Sequence, residues 1–396
     1  MDMLPKKECF LLPEGTIYLD GNSLGPLAKG VEERVRDTVV EEWGGDLIKA
    51  WNSHDWMAKP LTLADKIGRL IGAPPSTTVL GDTLSIKVYQ AVAAAIKLRP
   101  DRKVILSDSG NFPSDLYMAQ GLIQTLDQGH ELRVVAPDAV ADAIDEDCAA
   151  IMLTHVDYRT GRMHDMRTIT ELAHAAGAVM IWDLAHSAGA VPFDAAACGC
   201  EFAVGCTYKY LNSGPGGPAF IYCRPDLLPE VSLALEGWLG HDAPFAFEPT
   251  YRRARSIECF RVGSPPILQI AALEAAMEVW EGVDMAEIRA ASLALANRFI
   301  AEVDARIPAL TLVSPREDAM RGSQVSFAFE QGYAAMQALI DRGVIGDFRA
   351  PDIMRFGLTP LYIDEADVLR AVDILEEVIN GRLWDQSQYK RVNRVT

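Results

Sequence analysis

Lys209 sits between two tyrosines in GCTYKYLNSGPGGPAF (205–220), with a run rich in Gly, Ser and Pro after it. A solvated lysine needs no such setting. A lysine that attacks a carbonyl does, because the amine must first lose its proton, and partial desolvation lowers its pKa. Upstream, WDLAHSAGAVP (182–192) places Asp183 and His186 three residues apart. A carboxylate, an imidazole, the Tyr208 phenol and an amine are thus available to one reaction. Pyridoxal phosphate needs such a set: a lysine to hold its aldehyde as a Schiff base and a carboxylate to keep its ring nitrogen protonated. A protonated ring is the better sink for electrons left on a substrate carbon. Tyr208 can reach the phosphate or the reacting centre as a hydrogen-bond donor.

The phosphate of such a cofactor needs a cup of donors. Thr83, Leu84 and Ser85 fall where an Ala-rich helix begins in GDTLSIKVYQAVAAAIKL (81–98), so backbone N–H groups and the Ser85 hydroxyl can face an anion. Phe112, in SGNFPSDLY (109–117), can stack on the ring and Asp115 can orient it. Each residue also has an ordinary use. Asp183 would cap a strand end, His186 would be a satisfied buried histidine, Thr83 and Ser85 would be N-caps, and Phe112 would be core. The glycines at 214, 216 and 217 would form a turn. Taken together and in this order, they favour the cofactor.

These residues need strands to present them. VILSD (104–108), LRVVAP (132–137), AAIMLTH (149–155), AVMIWD (178–183), FAVGCT (202–207) and AFIYC (219–223) read as strands. SDLYMAQGLIQTL (114–126), DAVADAI (138–144) and MRTITELAHAAG (166–177) read as helices, the last closed by Gly177. Apolar strands alternating with helices predict an α/β fold with a mainly parallel central sheet covered on both faces. Ligands bind such sheets at the carboxyl ends of the strands. Beyond about residue 265 the pattern changes to a long helical region (267–306), a strand at 323–329, and helices at 332–343 and 364–381, a smaller α+β C-terminal domain. The expected division is an N-terminal segment, 1–45, with a helix at 30–42, associated with the small domain and with dimer contacts. A large cofactor-binding domain, 46–270, and the small domain, 271–396, complete it.

The chain has 396 residues, 49% hydrophobic and 23% charged, as expected of a globular protein large enough for two lobes. Its net charge of −18 argues against nucleic-acid or membrane-surface partners. No stretch approaches a membrane span, and the start, MDMLPKKECF, lacks a signal peptide's apolar region. Seven cysteines, irregularly spaced and without C-x-x-C, point to reduced thiols in the cytoplasm and to no metal site.

The words around these residues resemble the kynureninase family of fold-type-I pyridoxal-phosphate enzymes across nearly the whole chain. IYLDGNSLGPL (17–27), SGNFPSDLY, LTHVDYRTG (153–161), WDLAHSAGAVP, GCTYKYLNSGPG (205–216) and MRFGLTPLY (354–362) carry the resemblance. The WDLAHS and TYKYLN pair is the most specific part. The resemblance implies hydrolysis of L-kynurenine to anthranilate and L-alanine in tryptophan catabolism. It makes Lys209 the cofactor lysine and Asp183 the partner of the ring nitrogen, with Phe112 stacked on the ring. Leu84, through its backbone, Ser85 and Tyr208 hold the phosphate. Pro113, Ser114, Asp115, Thr154 and His186 line the cofactor. Trp238, in EGWLGHD, and Ser264, in RVGSPPI, match positions that reach the site from the neighbouring subunit of a homodimer. Arg355 matches the arginine that grips the substrate carboxylate. Trp51 and Ser23 match positions near the substrate's aromatic end. Tyr208 is the expected proton donor to the substrate β-carbon.

The choice between L-kynurenine and 3-hydroxykynurenine stays open, with Trp51 favouring the former. The nearest rivals are a small aminotransferase and a cysteine desulfurase. A desulfurase needs a mobile thiol near the C-terminal lobe, whereas no cysteine follows Cys259. A nucleotide-binding Rossmann enzyme would fit the strand pattern, but no G-x-G-x-x-G follows an early strand.

Overall fold

A computed structural model describes residues 4–391. Seven strands form the central sheet: β1 (Thr78–Leu80), β2 (Val104–Asp108), β3 (Glu131–Val135), β4 (Cys148–Thr154), β5 (Val179–Asp183), β6 (Phe202–Cys206) and β7 (Ala219–Cys223). Their order is β1-β7-β6-β5-β4-β2-β3. Neighbours pair in parallel except around β7, which is antiparallel to both β1 and β6.

Strands β2, β4, β5, β6 and β7 are buried at every residue. Their side chains alternate between two apolar layers, as a period of two requires. Ile105, Ala150, Met152, Val179, Ile181 and Val204 face a layer that includes the helices Leu84–Leu98 and Pro113–Leu126. Leu106, Ile151, Leu153, Met180, Trp182 and Ala203 face the opposite layer, which holds the helix Met166–Ala175 and runs on into the C-terminal part of the chain. This explains why the strands read as unbroken apolar runs. The edge strand β3 is only partly buried.

The second sheet is antiparallel, with β8 (Thr311–Leu312), β9 (Gln324–Ala328), β10 (Asp347–Arg349) and β11 (Ile353–Gly357) in the order β8-β9-β11-β10. The helices Gly332–Ile340 and Glu365–Asn380 accompany it, the latter opened by a capping box from Asp364 and Asp367. The N-terminal segment joins this region, because Ile17–Tyr18 pairs in parallel with Val344–Ile345.

Two expectations need correction. The helical region 267–306 is not continuous: Ile267–Ala276 passes into a tight turn, Met277–Trp280, and a new helix, Met285–Arg306, starts after it. Gly282, at φ +70°, breaks the run, and Asp284 caps the new helix by accepting from Ala286 N. The helix expected at 30–42 is regular only over Val31–Asp37 and widens into a π-helical stretch, Thr38–Asp46.

Candidate active site

The strand ends converge on one cavity. Asp183 closes β5 with Thr154 of β4 opposite it in register. Tyr208 and Lys209 follow the end of β6, and Phe112 follows β2. Asp183, His186, Tyr208 and Lys209 line the cavity together with Phe112 and Asp115. Leu84, Ser85 and Ser114 add the first turns of two helices.

Those helix starts form a cup. Neither N-cap residue, Thr83 or Phe112, places a side chain on its helix's first turn. The first-turn amides, whose partial positive charge suits an anion, therefore lack side-chain caps. Ser85 Oγ and Ser114 Oγ stand 2.8 Å apart across the gap between the helices. Pro113 occupies the first turn of its helix, where its missing N–H costs nothing.

Lys209 Nζ lies 2.9 Å from His186 Nε2. Burial, and then the Lys209 charge, hold His186 well below its ordinary range, so its ring is neutral. Burial pushes Asp183 up to about 6, while Lys209 pulls it down and Ala185 N donates to Oδ1 at 2.8 Å. Burial and the Asp183 charge push Asp115 well above its usual value. The Cys206 sulfur and burial shift the Tyr208 phenol upward, so it keeps its proton. Among the described residues, buried Asp115 Oδ2 and His186 Nδ1 have no hydrogen-bond partner. Orphaned polar atoms beside a lysine, a carboxylate and an anion cup fit a polar ring carrying a phosphate.

The N-terminal segment crosses this site. Gly25 N donates to the Tyr208 carbonyl at 2.8 Å. A Cβ on Gly25 would lie 2.2 Å from the Lys209 carbonyl oxygen. Only glycine lets the two backbones come so close. The crossing brings Asn22 and Ser23 into the cavity wall. On the far side of Lys209, Gly214 and Gly216 have positive φ and turn the chain back into β7.

Arg355 reaches the cavity from β11. It is fully buried rather than part of a surface ion pair, and it faces Asp347 across the β10–β11 ladder. Burial alone would raise the Asp347 carboxyl, but the Arg355 fork outweighs it and holds the group below its ordinary value. Ser23 Oγ bonds both Arg355 and Asp347, so Ser23 stands at the arginine end of the cavity.

Other expected positions lie outside the cavity wall. Thr154 is buried behind it, donating to the Val156 carbonyl at 3.3 Å. Trp51 packs edge-on against Trp56. Trp238 is 41% exposed and meets Phe245 edge-on. Ser264 lines a separate small depression with Asp82 and Arg261. Sequence reasoning missed Asn22, Tyr158 and Arg349, which all line the cavity. Asn22 adjoins Ser23, and Tyr158 lies inside LTHVDYRTG, so both had a signal in the motifs. The pattern D-F-R before MRFG offered one for Arg349.

Comparison with known proteins agrees with this geometry. Residues 288–375 match the family described as kynureninase C-terminal domain. Residues 82–207 match the DegT/DnrJ/EryC1/StrS aminotransferase family. Among solved structures, a cysteine desulfurase from Thermococcus onnurineus has a TM-score of 0.79 at 18% identity, covering 95% of this chain and 98% of that chain. A C-DES variant with glycine covalently linked to its PLP cofactor has a TM-score of 0.80 at 17% identity, covering 94% and 99%. These likenesses carry the fold, that of fold-type-I enzymes. A kynureninase from Pseudomonas fluorescens is 48% identical, covering all of this chain and 96% of that protein. One from Burkholderia mallei is 45% identical with the same coverage. With full-length identity at this level, and the lysine, carboxylate and helix-start cup gathered around one cavity at the strand ends, the chain belongs to the kynureninase family.

Proposed function

We propose that the chain is a pyridoxal-phosphate-dependent hydrolase that cleaves the Cβ–Cγ bond of L-kynurenine, releasing anthranilate and L-alanine. The observation that carries this reading is that Lys209 and Asp183 line one cavity, near enough for the Lys209 charge to act on the Asp183 carboxyl. Lys209 would hold the cofactor through its amine, Asp183 would face the ring nitrogen, and Ser85, Ser114 and the helix-start amides would take the phosphate. When bound, the cofactor supplies an electron sink for the substrate carbons beside the amine.

The residues supply the rest. The buried Asp183 favours a positive charge on the atom it faces. Lys209 Nζ would be the base that takes the α-proton. Neutral His186 orients that amine through Nε2. Tyr208 keeps its phenolic proton and would give it to the β-carbon. Arg355 and its neighbours anchor the carboxylate end. The preference between L-kynurenine and 3-hydroxykynurenine would be set at the opposite end of the cavity, which Trp51, packed on Trp56, does not reach within one chain.

We infer a homodimer that shares its sites. Trp238, Phe245 and Phe247 are exposed in one segment, and Trp43, Leu47 and Ile48 in another, clusters of the kind that mark interaction surfaces. Trp238 and Ser264 would then complete the partner's site. No helix among the described residues is long and apolar enough to cross a membrane. All seven cysteines are free thiols, in keeping with a reducing cytoplasm.

The test is turnover of the holoenzyme with L-kynurenine and with 3-hydroxykynurenine, following anthranilate fluorescence and L-alanine. Equimolar anthranilate and L-alanine are expected. Formation of a keto acid with aminated cofactor, or sulfide release from L-cysteine without anthranilate, would replace this reading with an aminotransferase or a desulfurase.

A further inference from the structure

Arg355 has the five N–H donors of any arginine. Nε donates to Asp347 Oδ1 at 2.5 Å, and Nη2 serves both Asp347 Oδ2 and Ser23 Oγ. Nη1 donates to the Tyr158 carbonyl. Among the described residues, only the second Nη1 proton is left over. A carboxylate entering the cavity therefore finds the two-pronged edge of Arg355 already filled by a carboxylate of the protein itself.

Arg349 is better placed to meet it. It lies two residues from Asp347 on β10, on the same face of the strand. Its Nη2 is 2.9 Å from Asp347 Oδ2 and donates to Ser23 Oγ at 3.4 Å, and its Nη1 donates to the Phe348 carbonyl at 2.9 Å. Its Nε and the second Nη1 proton have no partner among the described residues. The Arg349 side chain is 34% exposed, against 1% for Arg355, and both line the cavity. Two guanidinium groups share the single charge of Asp347, which leaves the group attractive to an anion.

We propose that Arg349 is a direct substrate-binding residue, the second arm of the carboxylate site, with Asp347 acting as a fixed bridge that orients both arginines. The substrate carboxylate sits between the free Nη1 proton of Arg355 and the free Nε–H of Arg349. This rests on the reading that the chain acts on an α-amino acid. It moves the specificity for that carboxylate from one arginine to a pair.

Holoenzyme can be titrated with L-alanine and, separately, with ethylamine, which offers the same kind of amine without a carboxylate. The visible absorbance of the bound cofactor reports both. In Arg349→Gln, Asp347 keeps its Arg355 partner, so the fold should persist. Loss of a charge-assisted hydrogen bond should weaken L-alanine by roughly tenfold to a hundredfold, with ethylamine unchanged. With L-kynurenine, KM should rise while kcat is largely kept. Unchanged L-alanine affinity would overturn the proposal, because Arg355 would then hold the carboxylate after Asp347 lets go. Equal weakening of both amines would also overturn it, showing a structural role only. Failure of wild-type holoenzyme to release anthranilate would be a separate result, against the assigned reaction and not against the arginine pair.

Discussion

His186 Nε2 sits 2.9 Å from Lys209 Nζ, in a pocket where burial keeps the imidazole neutral. If Nε2 accepts from the lysine, the ring proton is on Nδ1, which has no partner among the described residues. This contact fixes the lysine's position without taking its proton. Nitrogen-15 NMR of labelled histidine should show His186 as the neutral Nδ1–H form from pH 5 to 8. A titration centred near the ordinary histidine value would contradict it.

Asp115 and Asp183 form a buried carboxyl pair that holds protons the unfolded chain would release. Both folded values are raised, Asp183 to about 6 and Asp115 well above its usual range. The sign follows from proton uptake. Between the unfolded value of 3.8 and the folded values, the native state binds more protons, so apoprotein stability falls as pH rises through that window. Apoprotein Tm should therefore drop more between pH 5 and 8 in the wild type than in Asp115→Asn. Identical pH profiles would mean the pair does not share its charge this way.

Asp20 lies beside the arginine pair with one buried oxygen unpartnered among the described residues. Burial and the Asp347 charge raise it to about 8, against the pull of Arg355 and Arg349. The neighbouring phenols of Tyr18, Tyr210 and Tyr362 are shifted upward by burial and stay neutral. Below about pH 8 the two arginines face one charged carboxylate; above it they face two. L-Alanine binding, measured relative to ethylamine, should weaken as pH rises through that value, and Asp20→Asn should remove the step. A profile unchanged by the substitution would exclude Asp20 from setting the charge of the site.

Gly25 is held against the Lys209 backbone, where an added Cβ would collide with a carbonyl. Gly25→Ala must displace either the N-terminal crossing or the lysine. A displacement of about 1 Å at a reacting group costs on the order of a hundredfold in rate. Turnover should fall by about that factor, with cofactor lost more readily on dialysis. Wild-type turnover in this variant would show that the crossing does not position Lys209.

Much of the fold was legible because its strands are buried on both faces. VILSD, AVMIWD and AFIYC announce themselves as apolar runs whatever their direction. Direction is what such runs do not encode, and so the reversal of β7 was invisible. The short strands Thr78–Leu80 and Asp347–Arg349 were too brief to stand out. The break before Met285 was readable in Gly282 and Asp284 but was hidden by apolar residues on either side. Lys209, Asp183, His186 and Asp115 could be grouped because each ends or follows a strand of one sheet. The Ser23–Asp347–Arg355 cluster joins segments hundreds of residues apart, and no local pattern states that contact. Trp51, Trp238 and Ser264 were drawn from resemblance alone, and a single chain does not bring them to the cavity.

Borohydride reduction of the cofactor-loaded protein, followed by peptide mass spectrometry, reads the site of covalent attachment. One phosphopyridoxyl group per chain is expected, on the peptide containing Lys209. Attachment at another lysine, such as the buried Lys87, or none at 209, would contradict the assignment of this cavity.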